Sequence, residues 1–193
     1  KGVEANTVCR FQPGRFRVIS VDPAIEAGDC AGSLSAALPT LLERAEQQGY
    51  RTGIVSTTRL THATPAAAYA HSPNRGWETD NDLTEAARLE GCIDIARQFV
   101  EFSHGNGIEV ALAGGRQAFL PETAADPEYP ELQGKRRDSR NLVEEWLEAE
   151  PGRKYVWNQQ QFDALTPGEG SAILGLFEPS HMQYEIDRVA SGE

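Results

Sequence analysis

The sequence is poor in cysteine, in basic charge and in long apolar runs, and each shortage excludes something. Cys9, Cys30 and Cys92 match no zinc spacing and include no Cys-x-x-Cys pair, which sets aside zinc ribbons and thioredoxin-like redox motifs. Three is an odd number, so at most one bridge can form within the chain, and spacing does not choose the pair. Lys and Arg number 18 against 29 Asp and Glu, a net charge of −11. A nucleic-acid binder ordinarily needs a basic face, so that class is set aside too. Any phosphate-bearing ligand would be held by local cations or metals against an unfavourable general field. The acidic surface reads more simply as a solubility device. No apolar run has the length of a membrane span, and the opening Lys1-Gly2-Val3 is not expected to be a signal peptide.

What is present is the material of an ordinary globular domain. The 193 residues, 39% hydrophobic and 24% charged, suit one domain with a sizeable core. Residues 1–31 are irregular, with a short strand expected at 17–21 and turns at Asp22-Pro23 and Gly28-Asp29. Pro39 fits the first position of a helix carrying Leu41, Leu42 and Ala45 inward, with Gly49 as its C′ stop. Residues 53–57 form a β-branched run, expected as a buried strand. Helical turns follow at 65–71 and a longer helix at 90–102. A strand at 108–113 runs into Gly114-Gly115, which reads as a tight turn or an anion-binding nest. The polar segment 121–138 is expected on the surface. Beyond it come a helix at 141–150, a strand at 155–157, a short helix at 159–165 and a strand at 171–177. Apolar strands alternating with helices predict an α/β fold, a mostly parallel sheet covered by helices as a partial three-layer α/β/α sandwich.

Chemistry-bearing residues are densest in Ser56-Thr57-Thr58-Arg59-Leu60-Thr61-His62-Ala63-Thr64-Pro65, which follows a strand and precedes a helix. Ligands of open α/β sheets gather at such places. If the chain stays extended past Leu60, His62 and Thr64 point to one side and could face a hard cation or its waters. Thr64 before Pro65 reads equally as a helix N-cap. Arg75 offers a planar fork for two oxygens of one phosphate, or else a surface ion pair with Glu78 or Asp80. His71 and His104 read as helix-end residues.

Thr61-His62-Ala63-Thr64-Pro65-Ala66-Ala67-Ala68-Tyr69-Ala70-His71 followed by Asn74-Arg75-Gly76-Trp77 resembles a signature of the alkaline phosphatases. Four further stretches resemble that family in the same order: Glu90-Gly91-Cys92-Ile93-Asp94, Leu112-Ala113-Gly114-Gly115-Arg116, Asp126-Pro127-Glu128-Tyr129-Pro130 and Tyr155-Val156-Trp157-Asn158. So does Leu176-Phe177-Glu178-Pro179-Ser180-His181-Met182-Gln183-Tyr184-Glu185. The likeness covers roughly residues 28–188 and is strongest to the animal-like branch. It implies phosphate monoester hydrolysis through a phosphoserine, with two zinc ions and one magnesium ion. It further implies Arg75 as the phosphate clamp, Thr64 as a magnesium ligand and His62 in the outer shell of that ion. Glu178 takes the place of a calcium-binding carboxylate, and Cys30 and Cys92 that of a disulfide pair, leaving Cys9 free. A periplasmic or extracellular location goes with such a bridge.

The Asp-Ser-Ala segment that carries the family's nucleophile does not occur in the chain, and neither do the segments that bind its zinc ions. The expectation is therefore a single-domain internal fragment, residues 1–193, inactive alone, with residues 1–30 poorly ordered. Its substrate in the parent would be a phosphate monoester and its product inorganic phosphate. Exposed sheet edges are expected to drive self-association. The alternative is a non-catalytic module that binds phosphate or a divalent cation, or that serves interaction.

Overall fold

In the computed structural model the described residues are 19–191, except 23, 167 and 169. The irregular start of the chain, residues 17 and 18 of the strand expected at 17–21, Cys9 and Pro23 lie outside them; Ile19 and Val21 form only isolated antiparallel bridges, with Ser72 and Ala37. Helices α1 (Cys30–Ser35) and α2 (Leu41–Gln47) lead to strand β1 (Gly53–Arg59) and the short α3 (Ala63–Ala66). Next come α4 (Glu85–Leu89), α5 (Ile95–Val100) and β2 (Val110–Gly114). The chain continues through α6 (Leu142–Ala149), β3 (Lys154–Val156), α7 (Gln159–Asp163), β4 (Ile173–Leu176) and α8 (Glu185–Ser191). The four strands form one sheet in the order β1-β2-β4-β3, with every neighbouring pair parallel. This is the α/β fold with a parallel sheet that the alternation of elements predicts.

Local chemistry sets the element boundaries. Thr40 caps α2: its hydroxyl accepts from the Glu43 amide at 3.1 Å, while the Glu43 carboxylate accepts from the Thr40 amide at 2.6 Å. This capping box starts the helix after Pro39 instead of at it. Gly49 (φ 76°) ends it, a left-handed position that favours glycine. The helix expected over 90–102 is shorter, α5 alone, and the separate helix α4 before it was not expected. Gly91 (φ 91°) terminates α4, and Asp94 caps α5 by accepting from the Arg97 amide at 2.9 Å.

The main core lies on one face of the sheet, where Ile54, Ala111, Ala113, Leu174 and Leu176 meet Ile95, Phe99, Leu142 and Trp146 of α5 and α6. On the other face α7 covers the β3–β4 end, its Phe162 ring 5.9 Å from that of Phe177. Among the described residues no helix covers the β1 end of that face, where Val55 is 76% exposed. The second helix layer is thus partial.

The segment 121–138 is held far more firmly than its composition suggests. Arg116 forms a two-pronged pair with buried Asp126 (2.7 and 2.8 Å), and Arg136 does the same with buried Asp94 (2.9 and 3.0 Å). Each guanidinium is fully enclosed, so these ion pairs tie the loop to the core. A second cluster of Cys30, Trp77, Leu83, Ala87 and Cys92 sits beside the main core. It surrounds a disulfide between Cys30 and Cys92.

Candidate functional site

The carboxyl end of β1 positions the site. Past Arg59 the chain does not stay extended: it turns at Leu60 and Thr61 and enters α3 at Ala63. His62 occupies the N-cap position without a side-chain cap bond, so Thr64 is not the cap but an exposed residue inside the helix. Pro65 and Ala66 are buried, and the Tyr69 hydroxyl donates to the Leu60 carbonyl at 3.0 Å, closing the turn onto itself.

Arg75 comes from a loop tied down on three sides. Ser72 exchanges two backbone bonds with Ile19 (2.7 and 2.9 Å), and the Gly28 amide donates to the Pro73 carbonyl at 3.0 Å. Trp77 is buried in the disulfide cluster, and its carbonyl accepts from the Ile95 amide at 2.9 Å. From this loop the half-buried Arg75 reaches back to the turn, where its Nη2 donates to His62 Nε2 at 2.9 Å. A guanidinium only donates, so His62 Nε2 is the acceptor and the proton sits on Nδ1. Nδ1 is itself buried with no hydrogen-bond partner.

The ion pair between Arg75 and Glu78 or Asp80 does not form. Glu78 is taken by Arg59, in a fork of 2.7 and 2.8 Å, and by the Thr61 hydroxyl at 2.5 Å. Asp80 accepts the backbone amides of Arg137 and Asp138. Among the described residues no carboxylate lies within ion-pair distance of Arg75. Arg59 is paired in contrast, and its Nη1 also donates to His181 Nε2 at 2.5 Å. The rings of His181 and His62 meet edge to face with centroids 5.3 Å apart.

The charges follow from these contacts. Burial foremost, then the cations of Arg75 and Arg59, hold His62 below the ordinary imidazole value, with Glu78 opposing. Burial and Arg59 lower His181 in the same way. Burial alone would raise Glu78, but the hydrogen bonds from Arg59 and Thr61 outweigh it and keep the carboxylate ionised. The result is two imidazoles biased toward neutrality, one guanidinium paired with a carboxylate and one without a carboxylate among the described residues.

The other residues singled out in the sequence are elsewhere. The amides of Gly115 and Arg116 both donate to the Glu178 carbonyl (2.9 and 3.0 Å), so Gly114-Gly115 is a turn clamped by a neighbouring loop and not an anion nest. A Cβ on Gly114 would lie 2.1 Å from the Ser180 carbonyl oxygen, which is why the loop before His181 can approach only a glycine there. Glu178 is half-buried at the same sheet end. His71 and His104 are not free helix ends. Both face Glu43, at 2.7 and 3.4 Å, in a separate cleft of about 610 Å³ that Ala37, Pro39, Arg44, Gln47 and Gln48 help to line.

Thr64 and His62 supply only two donor groups, and no group of three or more His, Cys, Asp or Glu converges as ligands among the described residues. The donors present do not complete a magnesium, zinc or calcium site. Glu78 and His181 are the members of the site that motif reading passes over. Glu78 had a visible signal, an acid three residues beyond Arg75, but His181 lies 122 positions from Arg59 and only the sheet brings them together.

A family model described as alkaline phosphatase matches residues 14–193. The tissue-nonspecific alkaline phosphatase of Gallus gallus is 40% identical over 176 residues, 88% of this chain and 34% of that protein. A membrane-bound alkaline phosphatase of Bombyx mori is 38% identical over 182 residues, 91% of this chain and 33% of that protein. The chain therefore spans about a third of the length of the curated relatives it matches. Among solved structures, Thermus thermophilus alkaline phosphatase superposes with a TM-score of 0.59 at 26% identity, covering 92% of this chain and 29% of that one. The alkaline phosphatase of the Antarctic bacterium TAB5 shares the fold (TM-score 0.52, 20% identity, 86% and 44% covered). A variant of it has magnesium bound in its M3 site.

Proposed function

The chain belongs to the alkaline phosphatase family, and from that premise we propose that residues 61–75 are the phosphate-gripping wall of a metal-dependent phosphomonoesterase. One observation carries this reading: Arg75, half-buried beside the carboxyl end of β1, is oriented by neutral His62 and has no carboxylate partner among the described residues. A guanidinium fixed in this way keeps its remaining N–H groups for two oxygens of a phosphoryl group. Arg59, its neighbour, is neutralised by Glu78 and is unsuited to the task.

In this reading Thr64 would offer its hydroxyl to magnesium, and His62 would belong to the outer shell of that ion. The rest of the metal shell, both zinc ions and the attacking serine come from outside these residues. When bound, the metals would activate the nucleophile and stabilise the leaving oxygen. The chain's own residues bind and orient the phosphoryl group and hold the His62 proton on Nδ1. Glu178 is a candidate contributor to calcium binding. The buried Cys30–Cys92 bridge supports a periplasmic or extracellular setting, because disulfides persist in oxidising compartments.

The expected behaviour of the isolated chain is binding without turnover. Inorganic phosphate, followed by calorimetry or by 31P line broadening, should bind to the wild-type chain. It should bind at least about tenfold more weakly to Arg75→Ala. With zinc and magnesium added, an aryl phosphate should not be hydrolysed at an enzyme-like rate. Equal phosphate binding by the two proteins would refute the clamp, and turnover lost in Arg75→Ala would refute the inactivity.

A further inference from the structure

We propose that Glu78 is a positioning residue of this site, acting with His181 as a brace that fixes His62 and, through it, Arg75. The inference rests on the phosphate reading above but concerns residues to which that reading gives no role.

Two tethers leave one carboxylate. Through the Thr61 hydroxyl, Glu78 Oε2 pins the residue immediately before His62, so the backbone of the turn cannot rotate freely. Through its two-pronged pair with Arg59, it aims the third guanidinium nitrogen, Nη1, at His181 Nε2. His181 in turn sets its ring edge to face against His62. Its own loop is anchored to the sheet by the Met182 amide, which donates to the Thr57 carbonyl of β1 at 2.9 Å. His62 is thus held from the backbone side and from the ring side, and its Nε2 faces Arg75. Bidentate and charge-assisted bonds are the kind that fix orientation as well as supply energy. A catalytic group is useful only when such supports hold it within a fraction of an ångström.

The arrangement also makes a prediction of sign. Removing the charge of Glu78 leaves Arg59 unpaired and makes the site more positive. If Glu78 served only as a counter-ion, Glu78→Gln would tighten phosphate binding. If Glu78 positions the site, the same change weakens it.

The test uses the 193-residue chain with inorganic phosphate as the probe. Glu78→Gln should lower phosphate affinity about tenfold despite the added positive charge. Thr61→Val, which cuts one tether and alters no charge, should lower it by a smaller factor. The His62 ring 15N and 1H resonances, recorded without phosphate, should shift in Glu78→Gln, Thr61→Val and His181→Asn, while far-UV circular dichroism stays unchanged. Unchanged or tighter phosphate binding in Glu78→Gln would overturn the proposal. So would His62 resonances that ignore all three substitutions. The ring measurement stands apart from phosphate: a wild-type chain that binds no phosphate sinks the clamp reading, and the resonances still decide the brace. Should Glu78→Gln fail to fold, Thr61→Val and His181→Asn carry the same two measurements.

Discussion

At His71 both ring nitrogens face oxygens that can only accept: Nδ1 lies 2.8 Å from the Ser20 carbonyl and Nε2 2.7 Å from Glu43 Oε1. Two acceptors require two N–H groups, so this imidazole is the cation and Glu43 the buried anion. Burial works against the charge on His71, but the bonds to Glu43 and Ser20 outweigh it and raise the group above its ordinary 6.5. For Glu43 burial is likewise outweighed, by His71 and the Thr40 amide, and it falls below 4.5. The other groups facing Glu43 are the His104 ring, 3.4 Å away, and Arg44, which lines the same cleft. The signs then fix a window. A raised imidazole adds stability that is complete below 6.5 and lost as pH climbs through its folded value. A lowered carboxylate adds stability present above 4.5 and lost as pH falls through its own folded value. The stability difference between wild type and His71→Gln, from urea unfolding at a series of pH values, should be largest between these two limits and shrink on the alkaline side. A difference that grows steadily toward alkaline pH would contradict the assignment.

Among the elements, the disulfide and its small cluster do the most for the loop that carries Arg75. The bridge closes a separation of 62 residues, worth about 4 kcal/mol if it acts mainly by restricting the unfolded chain. Reduction should lower the melting temperature in calorimetry by roughly 10 °C, what that energy corresponds to in a chain of this size. Because Trp77 lies in the same cluster, reduction should also weaken phosphate binding. A melting temperature indifferent to reductant would show that the cluster packs as well without its bond. These elements differ in how far the sequence reveals them. β1, β2, α6 and β4 could be read because short β-branched or amphipathic runs carry their own signal. The late start of α5 could not, because apolar spacing already runs through Cys92 and Ile93 while the cap sits at Asp94. The turn at 61–64 was legible as a motif, but the geometry of Thr64 was not, since Leu60 and Thr61 bend before Pro65 can set a cap. Glu43 and His71 were invisible as a pair: nothing local announces a partner 28 residues away.

For the molecule as a whole, the β1 end of the sheet matters most, left uncovered by the described residues. β1 is an edge strand, its residues 53–58 are uncharged, and Val55 lies open beside them. Edges without charge, proline or cover invite pairing with another chain. The net charge of −11 opposes approach at low salt and is screened at physiological salt. Light scattering should therefore show a mass that rises with protein concentration and with salt, and Val55→Lys should suppress the rise. A constant monomer mass at both salt levels would remove the edge as a driver of association. The bond from Arg59 to His181 has one more consequence, which concerns time. Its partners are separated by 122 positions, and the Met182 anchor on Thr57 spans a similar distance. Chains fold from their first-made portion onward, and long-range contacts are slow to form. His62 and Arg75 can thus meet early, among near neighbours, while the His181 half of the brace must wait for β4 to join the sheet. During synthesis a phosphate grip should come before its final rigidity, and the youngest chains should hold their ligand most loosely.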